Sequence, residues 1–236
     1  MSARRVIALP GTLLDGRSLA AMLQGFDAKT VLLGDAARFD DEVDRLAAQA
    51  GAEPAVWVGH SLGGIVALHL ALRHPQVVAG LVLLGANARA GRGGGESRRG
   101  AQWALAQQSG LDALAHSKLA PGYGLAEGDA ALRLLVAQAE AVGLSRFAHQ
   151  LAYAGQRSGL LAPRRSLSVP VLALSGEVDT LCPPALSDEI VALVASPHVA
   201  VHHCLPGAGH LFPMQQPAWA AAHLHHFLVR LETSLT

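Results

Sequence analysis

The sequence predicts a doubly wound α/β fold, with a mostly parallel six-stranded sheet and an inserted helical cap. Two observations support this fold class. Short apolar runs recur along the chain, and each is followed by a turn and then by a segment with apolar residues three and four positions apart. The short runs are continuously apolar instead of alternating, which is typical of parallel strands covered by helices on both faces.

The expected elements follow one another in a β-α rhythm. The strands are expected at 6–9, 30–33, 55–58, 81–84, 169–174 and 199–204, where apolar and β-branched residues cluster. The helices are expected at 18–23, 41–50, 63–73, 185–194 and 217–231, where the apolar spacing is helical.

The rhythm breaks once, between Asn87 and Val169. There the stretch ARAGRGGGESRRG leads into several helical patterns without a convincing strand. We therefore expect an α/β core in two segments, 1–87 and 166–236, and a helical cap at 88–165 that is entered through a glycine-rich hinge. A phosphate-binding loop is the alternative for these glycines, but neither a G-x-G-x-x-G spacing nor a P-loop Lys-Ser/Thr is present.

Composition excludes several classes of protein. With 236 residues, 51% hydrophobic and 15% charged, the chain is a globular domain or a domain with one insertion. A formal net charge of zero argues against a nucleic-acid binder. Pro10, Gly11 and Asp15 interrupt the first apolar run, so we expect no targeting segment and no membrane span. Two cysteines are too few for a disulfide framework and favour a cytoplasmic location.

One short stretch indicates chemistry. VWVGHSLGGIVALHL carries a serine between two glycines, where a buried strand ends and a helix begins. This is the pattern of a nucleophile elbow: Gly59 and Gly63 relieve crowding around Ser61, and the following helix directs its N-terminal amides at the same point. Chance is the alternative explanation for five matching residues, and the flanking strand and helix make the catalytic interpretation stronger.

A nucleophilic serine requires a histidine base and a carboxylate that orients it. VPVLALSGEVDTLCPP places Asp179 just beyond a strand, and VAVHHCLPGAGHLFPMQQP places His210 beyond the next one. Glu177 is the alternative acid, and we prefer Asp179 for its position after the strand. His60 is expected to support the loop of the elbow. No zinc-type spacing is present, no metal or cofactor is expected, and a solvated or capping role is expected for three histidines of the last helix, His223, His225 and His226.

An oxyanion hole needs two backbone amides at the carbonyl oxygen of the substrate. Leu62 supplies one by its position, and Thr12, after the first strand in ALPGTLLDG, is the candidate for the other, with Leu13 as the alternative. The candidates for substrate contacts are Leu13 and four residues of the cap, Trp103, Leu134, Phe147 and Tyr153. For the four cap residues, packing between the cap helices is the alternative.

The stretches LPGTLLDG, VGHSLGG, SGEVDTLCPP and PGAGHLFPMQQP resemble the α/β-hydrolase superfamily over nearly the whole chain outside the cap. The resemblance implies a Ser-Asp-His triad beneath a variable cap, with no metal or organic cofactor. Two departures from the family pattern are expected: the sequence predicts no initial antiparallel hairpin, and Pro10-Gly11 replaces the frequent His-Gly of the oxyanion loop. The size and arginine-rich cap are similar to small bacterial carboxylesterases, including those that demethylate pimeloyl-acyl-carrier-protein esters.

The expected activity is hydrolysis of a carboxylic ester or thioester. Lactone opening, C–C bond hydrolysis and acyl transfer are alternatives, as is a ligand-binding receptor that keeps the hydrolase fold. The segment 88–165 holds ten basic and five acidic residues, a net charge of about +5. Its arginines are expected either to receive an acidic carrier protein or a coenzyme A phosphate, or simply to be solvated.

Overall fold

The computed structural model describes residues 4–91, 96–161, 166–196 and 199–233. Six strands form one sheet in the order β2-β1-β3-β4-β5-β6, and every neighbouring pair is parallel. The strands are β1 (Val6–Leu9), β2 (Ala28–Thr30), β3 (Ala55–His60), β4 (Val78–Leu84), β5 (Val171–Gly176) and β6 (Ala200–Leu205). The predicted doubly wound, six-stranded α/β fold is therefore confirmed.

The helices lie between and beyond these strands. They are α1 (Ala20–Leu23), α2 (Phe39–Gln49), α3 (Leu62–Arg73), α4 (Glu96–Leu114), α5 (Ala120–Gly122), α6 (Ala130–Gln156), α7 (Pro184–Val191), α8 (Phe212–Gln215) and α9 (Pro217–Thr233). A π-helical segment at Ala115–Leu119 joins α4 to α5. Among the described residues, no helix combines the length and the apolar character that a membrane span requires.

Each strand of the sheet centre buries both faces. Ile7 and Trp57 point into one apolar cluster, which includes residues of α2, α3 and α7. Val6 and Val58 point into a second cluster, with residues of α1 and α9. This two-sided burial explains why the strands are continuously apolar in the sequence.

The second strand begins and ends earlier than the sequence predicts. The expected strand at 30–33 is observed at Ala28–Thr30. Beyond it, Gly34 has a φ of 106°, and the chain turns there and lies against Arg146 of α6. Leu33 is buried in the first apolar cluster, so its apolar character reflects packing outside the strand.

Helices α4, α5 and α6 all lie between β4 and β5, in the segment predicted to be a cap. They enclose an apolar cluster of their own, into which Leu13 and Leu14 of the loop after β1 also pack. Two glycines with positive φ, Gly110 in α4 and Gly143 in α6, interrupt the helical conformation. Gly93, Gly94 and Gly95 of the predicted hinge lie outside the described residues, while Gly91 packs closely against the carbonyl groups of Ala154 and Gly155.

Polar side chains of α6 attach these helices to the core. Gln138 Oε1 accepts a hydrogen bond from the amide of Asp15 (3.0 Å). Gln156 Oε1 accepts one from the amide of Phe39 (2.9 Å), and the hydroxyl of Tyr153 donates to the carbonyl of Ala36. The loops after β1 and β2 are therefore held by α6 along most of its length.

Candidate active site

Ser61 occupies a sharp turn between β3 and α3. Its backbone has φ 53° and ψ −116°, a conformation that L-residues rarely adopt. Glycines make the turn possible: a Cβ on Gly59 would lie 2.5 Å from Cα of Gly64, and one on Gly63 would overlap the carbonyl oxygen of Leu9. The local sequence therefore folds as the elbow that G-H-S-L-G predicts.

Asp179 and His210 form a buried pair beyond β5 and β6. His210 Nδ1–H donates to Asp179 Oδ2 at 2.7 Å, and the two residues are only 2% and 3% exposed. Asp179 Oδ1 accepts the amides of Leu181 and Cys182 at 2.8 and 2.9 Å. Burial opposes ionisation of Asp179, but the hydrogen bond from His210 and these amides outweigh it and lower the pKa of the carboxyl group.

This hydrogen bond fixes how the imidazole can act. Because Nδ1 carries the proton donated to Asp179, Nε2 of His210 is the basic nitrogen. Nε2 is buried and has no hydrogen-bond partner among the described residues. The ring therefore offers an oriented proton acceptor.

His60 joins the elbow to the loop of His210. Its Nε2–H donates to the main-chain carbonyl of His210 at 3.0 Å, and the two ring centroids are 5.0 Å apart. Burial, followed by the proximity of His210, lowers the pKa of His60 to about 3. His60 is therefore neutral and acts as a fixed donor, in agreement with its expected role in supporting the loop.

Gly85, directly after β4, lies beside the same three elements. The amide of Ser61 donates to the carbonyl of Leu84, the residue before Gly85 (2.9 Å). A Cβ on Gly85 would lie 3.2 Å from Asp179 Oδ2 and 3.3 Å from the ring of His210. The carboxyl ends of the parallel strands thus gather Ser61, Asp179 and His210 at one edge of the sheet.

The loop after β1 contains two candidate donors for the oxyanion hole, the amides of Thr12 and Leu13. The amide of Leu13, whose φ is 57°, donates to Gln150 Oε1 of α6 at 2.9 Å and is therefore occupied. Thr12 lines a cavity together with Ser61 and Leu62. Leu62 is the first residue of α3, so its amide lacks a partner within the helix. Thr12 and Leu62 remain the candidates for an oxyanion hole.

The cavity has a volume of about 870 Å³ and lies between the elbow and the cap. Four of the predicted site residues line it: Thr12, Ser61, Leu62 and Phe147. Such a volume is within the range of pockets that hold small organic ligands.

The other predicted substrate contacts do not line this cavity. Leu13 is fully buried in the apolar cluster of the cap, and Trp103 packs against the same cluster, 6.3 Å from Phe147 between ring centroids. Tyr153 is buried because its ring packs edge-on against Phe39, 6.0 Å away between centroids. Leu134 is partly buried on α6, outside the cavity lining. Leu13, Trp103 and Tyr153 therefore pack against neighbouring apolar residues in this structure.

Sequence reasoning missed two contributors. Tyr123 stacks on His210 from the cap, and Gln150 binds both the amide of Leu13 and, through Nε2, the carbonyl of Leu33 (3.1 Å). Neither residue lies in a recognised sequence motif. Gln150 is a buried amide on an otherwise apolar helix face, a pattern that indicates a partner without identifying it.

The alternative carboxylate and the remaining histidines have other contacts. Glu177 Oε2 accepts the amide of Gly207 at 2.8 Å and does not contact His210. His202 lies between Asp188 and Ser175, at 2.8 Å from each. Within the described ranges, no group of three His, Cys, Asp or Glu residues could hold a metal ion.

With this fold and elbow, the chain belongs to the alpha/beta hydrolase family, whose sequence model matches residues 3–223. A relative in Pantoea ananatis, described as "Putative carbamate hydrolase RutD", is 31% identical over 192 residues, or 76% of this chain. The matched part spans 66% of that relative, just under two thirds of its length.

Solved structures share the fold. A thermophilic esterase from Thermogutta terrifontis superposes with a TM-score of 0.82 at 19% identity, over 97% of this chain and 90% of its own. MenH from S. aureus gives a TM-score of 0.83 at 18% identity, over 98% and 96%. The enol-lactonase from Burkholderia xenovorans gives 0.78 at 18%, over 97% and 92%. At such identities the similarity concerns the fold alone.

Proposed function

We propose that this protein is a serine hydrolase that cleaves a carboxylic ester or thioester through an acyl-enzyme. One observation carries the proposal: His210 is oriented by its hydrogen bond to buried Asp179, and its free Nε2 lies in the loop that His60 holds against the elbow of Ser61. A serine elbow, a basic nitrogen and a buried carboxylate are the parts that acyl transfer to serine requires.

In the first half of the reaction, Ser61 Oγ attacks the acyl carbon while His210 Nε2 takes its proton. Asp179 holds the imidazole in the required tautomer and stabilises the imidazolium that forms. The amides of Thr12 and Leu62 donate to the oxygen that becomes negatively charged, at the N-terminus of α3 where the helix dipole favours an anion. The imidazolium then protonates the leaving alcohol or thiol.

The second half repeats these roles with water. His210 Nε2 takes a proton from water, which attacks the acyl-enzyme, and the imidazolium returns the proton to Ser61 as the acid is released. No hydrogen bond from Ser61 to His210 is present in the described structure. Catalytic hydrogen bonds are often long before substrate binds, so this geometry is compatible with the proposed roles.

The names of the similar proteins include an esterase, an enol-lactonase and a carbamate hydrolase. All of these names describe attack on an acyl carbon, which the same serine, histidine and amides can perform. We favour esters and thioesters because the cavity of about 870 Å³ accommodates an acyl chain beside Ser61. An acyl chain attached to a carrier protein is one such substrate.

The test is hydrolysis of p-nitrophenyl esters from acetyl to dodecanoyl by the wild type and by Ser61→Ala. We expect turnover by the wild type and a loss of at least about 10³-fold in kcat/KM in the variant. Ser145→Ala, an exposed serine of α6 outside the cavity, is the matched control and should keep full activity. Equal rates for wild type and Ser61→Ala, or no turnover of any ester, would refute the proposal.

A further inference from the structure

The cavity beside Ser61 is strongly basic. Five cationic side chains line it: Arg89, Arg98, Arg99, Lys118 and Arg157. Among the side chains that the structure describes, no carboxylate lines the cavity. On an ordinary solvated surface, acidic side chains lie among the arginines. The described lining of this cavity has no such acidic side chains.

Only one of these cations has a described acidic partner. Arg89 forms a two-pronged ion pair with Glu189, with Nε to Oε2 at 2.9 Å and a second, shorter bond from Nη2 to Oε1. Arg98, Arg99, Lys118 and Arg157 make no salt bridge with any described carboxylate. Carboxylates that the structure describes therefore balance little of the positive charge of this lining.

Arg157 is held in place by its own backbone and side chain. Its amide donates to the carbonyl of Tyr153 (3.2 Å), its carbonyl accepts the amide of Gly91 (3.0 Å), and its Nε donates to the carbonyl of Arg89 (3.1 Å). Nη1 and Nη2 have no hydrogen-bond partner among the described residues. These two donors form the planar fork that binds carboxylate or phosphate oxygens.

Arg99 lies next to Arg157. A Cβ on Gly155, two residues before Arg157, would lie 3.1 Å from Nη2 of Arg99, so the Arg99 guanidinium rests on the end of α6. Burial, followed by the positive charge of Arg99, lowers the pKa of Arg157. Two guanidinium groups that repel each other at the wall of a cavity are stabilised when an anion binds between them.

We infer that the substrate of this site carries an anionic group, a carboxylate or a phosphate, which Arg99 and Arg157 bind while the scissile carbonyl lies at Ser61. The inference rests on the proposed function, since it specifies the substrate class of the same site. The anion is part of the molecule in the cavity, and its oxygens accept hydrogen bonds from the guanidinium groups of the two arginines.

Two p-nitrophenyl esters test the carboxylate form of this inference. One is mono-p-nitrophenyl suberate, whose chain ends in a carboxylate, and the other is the p-nitrophenyl ester of suberamic acid, whose chain ends in a neutral amide of the same shape. We expect the wild type to favour the carboxylate in kcat/KM by about tenfold or more, as for charge-assisted hydrogen bonds. Arg157→Gln and Arg99→Gln should each reduce this ratio to below about threefold.

The ratio between two substrates is independent of the fraction of folded enzyme, so a partly unfolded variant does not obscure the result. Arg133→Gln is the control: Arg133 is an exposed arginine of the same helix, outside the cavity, and donates to the carbonyl of Gly128 (2.7 Å). This variant should keep the ratio of the wild type.

A second pair of substrates tests the phosphate form. Octanoyl-coenzyme A and octanoyl-N-acetylcysteamine share the thioester. Only the coenzyme A compound carries phosphates, together with its pantoate and adenosine groups, so the comparison depends on the two arginine variants. Preference for the coenzyme A thioester, lost in Arg157→Gln and Arg99→Gln, would assign the anion to a thiol carrier. A ratio near one in both pairs, or a preference that survives both substitutions, would overturn the inference while leaving the ester hydrolase intact.

Measurements of anion binding test this inference separately from the proposed function. If no ester is hydrolysed, calorimetry with suberate and with inorganic phosphate still reports on the arginines. Binding that is weakened about tenfold in Arg157→Gln and by added salt would support the anion site. Absence of binding to the wild type, together with absence of turnover, would refute both.

Discussion

Tyr123 of the cap stacks on the imidazole of His210, with ring centroids 5.5 Å apart and planes inclined by 12°. Tyr123 is buried, and burial followed by the nearby Asp179 raises the pKa of its hydroxyl to about 12. A neutral, aromatic face therefore covers the basic histidine. The cap restricts the imidazole ring as well as bounding the cavity, because the stack and the Asp179 hydrogen bond together limit its rotation.

This stack predicts different effects for two substitutions. Tyr123→Phe keeps the ring and loses a hydroxyl that has no hydrogen-bond partner among the described residues, so kcat should change by less than about threefold. Tyr123→Ala removes the ring and should lower kcat by about 10- to 100-fold through misplacement of His210. The measurement is kcat and KM on a p-nitrophenyl ester. A loss in Tyr123→Phe as large as in Tyr123→Ala would contradict a positioning role for the ring.

We expect substitution of Gly63 to lower the stability of the fold, independently of the catalytic mechanism. A Cβ at this position would overlap the carbonyl oxygen of Leu9, so Gly63→Ala must displace either β1 or α3. We expect a loss of about 3 kcal/mol in the free energy of unfolding, measured in urea. Gly100→Ala is the control, since Gly100 lies in α4 with nothing within 4 Å of a new Cβ. It should be neutral or stabilising by up to about 1 kcal/mol.

Because His60 is buried in its neutral form, we expect the stability of the protein to depend on pH. The pKa of His60 is about 3 in the folded protein and 6.5 for the free side chain. Between pH 6.5 and pH 3, the unfolded chain therefore binds a proton at His60 that the folded protein does not bind. The contribution of His60 is therefore fully present above about pH 6.5 and declines as pH falls, by roughly 1.4 kcal/mol per pH unit. His60→Gln should show a shallower decline of unfolding free energy between pH 6.5 and 4. Identical slopes would show that His60 is not a buried neutral group.

The two cysteines should differ in reactivity. Cys182 lines the cavity but is only 6% exposed, and burial followed by the nearby Asp179 raises the pKa of its thiol to about 12. Cys204 is exposed on β6. Because the thiolate is the reactive species, iodoacetamide at neutral pH should label one cysteine per native chain. Intact mass should show no labelling of Cys204→Ser until the protein is denatured. Rapid modification of that variant would mean that Cys182 is activated.

Much of the fold follows from local patterns in the sequence. Continuous apolar runs such as 55–58 predict strands buried on both faces, because alternation would expose one face. The glycines around Ser61 predict the elbow, because the turn leaves no room for side chains there. The predicted edge strand lies too far along the chain because Val31 and Leu33 pack outside the sheet. Apolar periodicity does not distinguish a strand from a packed loop.

Part of the site is likewise predictable from the sequence, and part is not. The expectation that Ser61, Asp179 and His210 lie close together follows from the rule that loops after parallel strands meet at one edge of the sheet. The contacts of Tyr153 and Trp103 do not follow from it, since an aromatic residue on a cap helix packs inward or lines a pocket according to the rotation of that helix.

The class of fold, the strained serine turn and the candidate acid and base are predictable from local sequence patterns, because they depend on chain-local geometry and on the fixed polarity of parallel strands. Only the tertiary structure decided that Gln150 occupies the amide of Leu13, that Tyr123 covers His210, and that Arg99 and Arg157 share one wall of the cavity. Each of these contacts joins residues far apart in the chain, and their meeting depends on how the cap helices rotate and pack on the sheet.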